Sequence, residues 1–401
     1  MEQREEFVRL ALLPGANVSE LCRRFGISRD TGHRTLKRYA AQGHAGLSDR
    51  SRRPHGSPSR TAASTEAEIL RIRCEHNNAW GARKIARVME REGFADVPAL
   101  STITEVLRRH GKLEERAARH RGPFIRFERE APNELWQMDF KGHFALSRGR
   151  CHPLTAIDDH SRFALVLDAC ADEQEKTVRE RLTAGFRRYG MPFSMLTDNG
   201  PPWGSPAGWR HTTLSVWLMR LGIDVHHGRP FHPQTQGKDE RFHRTIDEEV
   251  LNGNSFADHA VCQVAFDRFR HSYNYERPHD ALALETPASR YRPSVRSFPE
   301  TLTEIAYWPG DIVRKVDSDG FISFKNQPFR IGQPFRKQPV ALRAVDRDGC
   351  FDVFFCANKI GAVDLTKRKT RGFVDIAKAM TTTPQVQQKK QVEISSKRTK
   401  P

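Results

Sequence analysis

The chain has 401 residues with a hydrophobic fraction of 37%, which fits two or three domains with small cores joined by polar linkers rather than one large globule. Its formal net charge of +17 and isoelectric point near 9.8 point to a polyanionic partner, nucleic acid above all. No run of 18 apolar residues and no secretory leader pattern occurs, which argues against a membrane partner; seven scattered cysteines without a CxxC argue against a disulfide framework or a zinc site and fit a reducing cytoplasm.

Glu5 to Leu13 and Val18 to Phe25 read as helices, the second with Leu21 and Phe25 inward. Gly26-Ile27-Ser28 makes a tight turn, and Ser28 is a good N-cap for a third helix, Arg29 to Ala41. A helix, a Gly-containing turn and a basic helix form the helix-turn-helix arrangement, whose last helix enters the major groove. Residues 1–42 are therefore expected to be a DNA-binding domain, with Arg29, Thr31 and Arg34 at base edges and Lys37 and Arg38 on the same basic helix. A small helical bundle with a solvated charged face is the plainer alternative. Residues 43–64, rich in Gly, Pro, Ser and Arg, read as a basic linker. There Arg52 and Arg53 suit a minor groove, or simply a solvated tether. Thr65 to Asn77, Ala82 to Glu92 and Leu100 to His110 have apolar positions at helical spacing. Residues 65–112 are thus expected to be a second helix-turn-helix-like domain, with Thr102, Arg108 and Arg109 toward DNA. Residues 113–130, charged and broken by Pro123, read as a hinge.

The next stretch reads as strands at Leu135 to Leu146, Cys151 to Asp158 and Phe163 to Ala169, then a helix from Glu173 to Tyr189. A strand at Phe193 to Leu196, a helix at Leu214 to Leu221 and a short strand at Ile223 to Val225 follow. Lys238 to Leu251 has neither Gly nor Pro, and its buried stripe is Phe242, Ile246 and Val250. Three acids stand out. Asp139 lies inside a strand, Asp198 lies where a strand ends, and Glu240 lies in the first turn of a helix. An acid in a strand is costly to bury unless it is paired, hydrogen-bonded or bound to a metal. An acid in a first helical turn, by contrast, usually just complements the helix dipole. If the three converge, a divalent cation relieves their repulsion, and hard oxygen ligands suit Mg²⁺ or Mn²⁺.

The motifs WQMDFKG, LTDNGPPW and RPFHPQTQGKDERFHRT, followed by YNYERPHDALALETPASRY, resemble the catalytic core of DDE transposases of bacterial insertion sequences. These share the retroviral-integrase fold. The resemblance covers roughly residues 130–292. It implies a ribonuclease-H-like mixed α/β core over 131–292, a triad of Asp139, Asp198 and Glu240, and two Mg²⁺ or Mn²⁺ ions held between them. It implies that water attacks first to free a 3′-hydroxyl at an element end, and that this hydroxyl then attacks a target phosphodiester. Double-stranded DNA is the implied partner and a homo-oligomer the implied assembly, in a nucleoid-associated cytoplasmic protein. Two departures stand out. The 41 residues between Asp198 and Glu240 exceed the usual spacing, the excess falling on Pro201 to His211. Many relatives also carry a basic residue seven after the Glu, where this chain has Asp247. Arg244 is the candidate to take over that phosphate contact, with Lys238 and Arg241 beside Glu240.

Charge follows this layout. Residues 1–130 and 301–401 each carry a net +9, while 131–300 carry −1, so two basic arms flank a near-neutral core. Beyond the core, alternating runs from Asp311 to Asp364, separated by Asp-x-Asp-Gly turns, predict a small β-barrel over 305–366. Residues 367–401 form a basic tail expected to be disordered. The fold expected of the whole is multidomain: all-α helix-turn-helix modules, a ribonuclease-H-like mixed α/β core, then the barrel. The alternatives to a transposase are a non-enzymatic DNA-binding regulator on the same scaffold and an RNA-directed nuclease.

Overall fold

The computed structural model describes residues 2–49, 60–113, 128–204, 211–227, 237–366 and 374–375. The chain divides into two units, residues 1–62 and 63–401. In the first unit, helices α1 (Glu2–Ala11), α2 (Val18–Arg24) and α3 (Arg29–Gln42) pack around Phe7, Val8 and Cys22. Ser28 caps α3 as its sequence foretells, its hydroxyl accepting from the Thr31 N–H at 3.1 Å. Gly32 is buried where α3 passes Cys22 and Phe7; a Cβ there would collide with the Cys22 sulfur and press on the Phe7 ring. The expected boundary at residue 42 needs correction. Gly43–Leu47 forms a 3-10 turn against α3, and Leu47, 1% exposed, completes the core. Of the expected linker, residues 50–59, including Arg52 and Arg53, lie outside the described residues.

The second unit opens with α4 (Ala63–Glu75), α5 (Ala82–Arg91) and α6 (Leu100–Arg109), closed around Trp80, Ile69, Ile85, Met89, Ile103 and Leu107. This module docks on the rest of its unit. Trp80 donates its indole N–H to Glu249 at 3.2 Å, Arg83 pairs with Asp280 at 2.9 Å, and Arg87 and Arg91 both pair with Glu285.

A mixed sheet follows, of β1 (Leu135–Phe140), β2 (Phe144–Ala145), β3 (Arg150–Asp158), β4 (Ala164–Cys170), β5 (Ser194–Thr197) and β6 (Asp224–His227). Strand β1 is central: it pairs antiparallel with β3, which pairs antiparallel with β4, and parallel with β5, which pairs parallel with β6. The order β4-β3-β1-β5-β6, antiparallel from β4 to β1 and parallel from β1 to β6, is the ribonuclease-H topology. The period of two sorts the side chains by face. Trp136, Met138, Leu154 and Ala156 join the core under α7 (Glu175–Tyr189) and α8 (Thr213–Arg220). Ile157, Ala164 and Leu167 join a second core under α9 (Gly237–Ile246) and α10 (His259–Tyr275). Helix α9 runs into a π-helical turn at Asp247–Leu251, and α10 precedes a short α11 (Pro287–Arg290).

Residues 294–296 lie along this core: Ser294 donates to the Tyr189 carbonyl and Arg296 accepts from the Met191 N–H. They cross so close to Gly190 (φ +75°) that a Cβ there would strike the Ser294 carbonyl. Then come β7 (Ile312–Lys315), β8 (Phe321–Phe324), β9 (Gln327–Arg330), β10 (Pro339–Ala344), β11 (Cys350–Phe355), β12 (Asn358–Asp364) and β13 (Val374–Asp375). Where a barrel was expected, the strands form two sheets, β12-β11-β10-β7 and β13-β9-β8, beside one apolar core. That core includes Val216 and Met219 of α8, so the C-terminal sheets are seated on the mixed-sheet core. The tail is also not wholly outside the fold: Val374–Asp375 pair in parallel with β9, while the other residues after 366 lie outside the described ones. Among the described residues, no helix is long and apolar enough to cross a membrane.

Candidate active site

Asp139 sits on central strand β1, and Asp198 follows the end of its parallel neighbour β5. Side-chain alternation turns Asp139 away from Trp136 and Met138, toward the face that carries α9. That helix brings Glu240, and two contacts seat it. His243 shares a 2.8 Å hydrogen bond with the hydroxyl of Thr155, the residue opposite Asp139 on β3, and the same hydroxyl donates to the Asp139 carbonyl at 2.9 Å. At the other end, the Lys238 ammonium donates to the carboxylate and carbonyl of Asp159, in the turn after β3. Asp159 also accepts from Gln137 of β1 at 2.6 Å and from the Arg129 N–H at 2.8 Å. The Asp158-Asp159-His160-Ser161-Arg162 turn therefore joins β1, β3 and the start of α9.

The electrostatics are those of a crowded anionic site. Burial, and then the charge of Asp198, push the Asp139 carboxyl up to about 7; Glu173 and Glu240 add to it. Burial also raises Asp198, against the Gly200 N–H that its carboxylate accepts at 3.1 Å. Next to exposed Glu240 stands a second acid. Asp239 is 1% exposed, neither of its carboxylate oxygens has a hydrogen-bond partner, and burial followed by the Asp139 charge pushes it well above the usual carboxylate range. Sequence inspection passed over Asp239, although it stands three residues before Phe242, on the buried stripe of Phe242, Ile246 and Val250. Glu173, which raises both Asp139 and Asp198, carried no such signal.

Among the described residues, no three acid, histidine or cysteine side chains stand close enough as oriented to share an ion. The donor chemistry nonetheless fits a hard divalent cation: carboxylate oxygens on three elements, one pair of them orphaned in a buried position. Two described histidines of the segment, His227 and His243, serve the scaffold. His227 contacts the Asp198 carbonyl at 2.9 Å, His243 is pushed down to about 4 by burial, and His232 lies outside the described residues. Trp203 is 3% exposed in the core beside Phe140, so it anchors its loop; Trp209 lies outside the described residues.

The basic candidates divide into free and engaged groups. Arg29, Lys37, Arg241 and Arg244 are exposed, and Thr31 is half-buried beside the Ser28 cap. Arg34 pairs with Asp30 at 3.0 Å on the same exposed face. Arg38 donates back to the Ser48 carbonyl. Thr102 is half-buried, Arg108 pairs with Glu105, and Arg109 pairs with Glu66 at 2.8 Å. Lys238 is held by Asp159, and Asp247 by Lys141 at 2.6 Å.

Five family models match the chain. An integrase core domain matches residues 129–233 and a second one 221–287; a helix-turn-helix domain matches 3–55, a homeodomain-like domain 31–107, and an IS481 family transposase C-terminal domain 311–371. The chain is 29% identical over 234 residues to an uncharacterized 31.7 kDa protein of insertion element IS407 from Burkholderia multivorans, covering 56% of this chain and 80% of that protein. It is 24% identical over 280 residues to an uncharacterized 39.2 kDa protein of insertion element IS476 from Xanthomonas euvesicatoria, covering 69% of this chain and 78% of that protein. Among solved structures, the HTLV-2 integrase catalytic core domain in complex with magnesium matches 40% of this chain and 97% of that one, at 15% identity and a TM-score of 0.31. Mixed sheet and matched domains define a protein of the integrase-core class, preceded by helix-turn-helix modules. More narrowly, the transposase and integrase-core domains and the insertion-element relatives support a DDE transposase of an insertion sequence.

Proposed function

We propose that this transposase binds the ends of its own mobile element and catalyses metal-dependent strand cleavage and strand transfer, with Asp139, Asp198 and Glu240 as the catalytic and metal-binding residues. The observation that carries the proposal is geometric: β1, which bears Asp139, pairs with β5, which Asp198 follows, and α9, which bears Glu240, packs on β1. One Mg²⁺ or Mn²⁺, or two, would lower the pKa of the attacking oxygen and neutralise the leaving oxygen of an in-line displacement. The protein's own part is to hold the acids. Thr155 and His243 fix α9 against β1, Lys238 fixes its first turn to Asp159, and Gly200 orients the Asp198 carboxylate. Water displaces the 3′-oxygen at the element end, freeing a 3′-hydroxyl. That hydroxyl then displaces a 3′-oxygen in target DNA, so one phosphodiester bond forms as one breaks and no nucleotide is consumed.

DNA is held, in this proposal, by the exposed basic residues of α3 (Arg29, Arg34, Lys37), with Thr31 at a base edge, and by Arg241 and Arg244 on the exposed face of α9. Arg38, Thr102, Arg108, Arg109 and Lys238 need their present partners displaced to join them. Arg52 and Arg53 reach a minor groove from the linker. The C-terminal sheets act as a barrel-like module on the phosphate backbone, with the protein acting at the bacterial nucleoid in the cytoplasm. Bringing two ends together requires at least a dimer.

The test is a strand-transfer assay with purified protein, labelled DNA carrying the ends that flank its gene, and Mg²⁺ or Mn²⁺. Asp139→Asn, Asp198→Asn and Glu240→Gln are each expected to abolish cleavage and joining while end binding persists. Loss of end binding in all three would make these acids structural. Binding without joining by the wild type, in either metal, would turn the assignment toward a DNA-binding regulator.

A further inference from the structure

Asp239 has no task in the scheme above. It stands on the inward face of α9, 1% exposed, with neither carboxylate oxygen hydrogen-bonded. Helix α9 bears on β1, the strand of Asp139, and is pinned on both sides of residue 239, by Lys238 to Asp159 and by His243 to Thr155. Buried carboxylates elsewhere in this unit are provided for: Asp158 accepts from Ser161 and the Asn133 N–H, and Glu249 from Trp80 and Arg277. Asp239 has no such donors, and an acid left so is costly unless a cation answers it.

We propose that Asp239 is a fourth carboxylate of the cation site, turned toward Asp139 from the buried side of α9, and that it lets the protein take a divalent cation before DNA arrives. The inference rests on Asp139 and Glu240 being cation ligands. Glu240 approaches from the exposed side of the helix and Asp239 from the buried side, so the first turn of α9 offers two adjacent acids to one strand.

The experiment uses the full-length protein without DNA. Mn²⁺ is titrated in, free Mn²⁺ is read by electron paramagnetic resonance, and melting temperatures are taken in EDTA. Asp239→Asn keeps the shape and removes the charge. It is expected to weaken Mn²⁺ binding roughly tenfold or more, while its melting temperature in EDTA equals or exceeds that of the wild type. Asp239→Val, which removes the oxygens altogether, is expected to do the same and covers a folding defect peculiar to asparagine. Unchanged Mn²⁺ affinity in both variants overturns the proposal, as does wild type that takes up no Mn²⁺ without DNA. A lower melting temperature in EDTA for both variants also overturns it, by marking Asp239 as a structural acid. Failure of the transposase proposal registers separately, as strand joining by Glu240→Gln whatever Asp239 does.

Discussion

Asp247 stands seven residues after Glu240, where the family resemblance implies a basic residue, and its carboxylate lies 2.6 Å from the ammonium of Lys141, two residues past Asp139. The Lys141 side chain is only 14% exposed and Asp247 44%, so the acid answers a largely buried cation. Installing that basic charge with Asp247→Lys should therefore lower the melting temperature by setting two ammonium groups together. The double variant Lys141→Asp/Asp247→Lys should recover most of the loss. The coupling between the two positions is expected to be on the order of 1 kcal/mol, discounted for the exposure of Asp247. Additive single effects in the four-protein cycle would sink the idea. At this scale the candidate site was partly legible. Asp139 and Asp198 stood out because each carboxylate interrupts or ends an apolar run, and Glu240 because it stands in the first turn of a helix. Asp239 was legible too, by helical phase, since a residue three before Phe242 shares its face. What no local pattern announces is a distant partner: Arg109 is held by Glu66, 43 residues away, and Lys238 by Asp159, 79 residues away.

Among the elements, most of the helices and strands were readable from the spacing of their apolar residues, because each turns an apolar face or stretch to a core. Helix α10 was not picked out from its residues, and its outward side shows why: Val261 and Val264 are exposed, which blurs the amphipathic stripe. The docking of α5 was unreadable as well, since it is made by charged residues that would ordinarily signal a solvated face. Lys84 is the extreme case, 8% exposed on α5 near Arg277, Glu249, Asp280 and Arg241. Burial first, and then the Arg277 charge, push its ammonium down to about 7 from an ordinary 10.5. Across that interval the unfolded chain holds a proton that the folded protein does not, so stability rises with pH, and the penalty is fully present below about 7. Lys84→Met should raise the melting temperature, with the largest gain near pH 6 and a clearly smaller one around pH 9. A gain independent of pH would assign the effect to packing rather than to the buried charge.

For the molecule as a whole, two basic arms around a near-neutral core suggest modules that can be removed one at a time. The C-terminal arm does not fit that picture, because its apolar core runs through Val216 and Met219 of α8, both 6% exposed. The opposite face of the same helix, with Leu214, Trp217, Leu218 and Leu221 beside it, builds the core under the mixed sheet. Eight residues of α8 thus serve two cores. A sequence hydrophobic on every side already implied burial all round, but not by which neighbour. Ending the chain at residue 304 strips the outer face and returns two apolar side chains to water, at about 2 kcal/mol each. That is a sizeable share of the roughly 5–15 kcal/mol of net stability typical of a domain. The shortened protein is expected to melt earlier and to aggregate, rather than only to bind DNA more weakly. Val216→Gln with Met219→Gln should restore solubility to the shortened protein and destabilise the full-length one, because the same two side chains face water in the first and the C-terminal core in the second. An unchanged melting profile for the shortened protein would mean that the C-terminal sheets are a tethered accessory, and that α8 needs only its inner face.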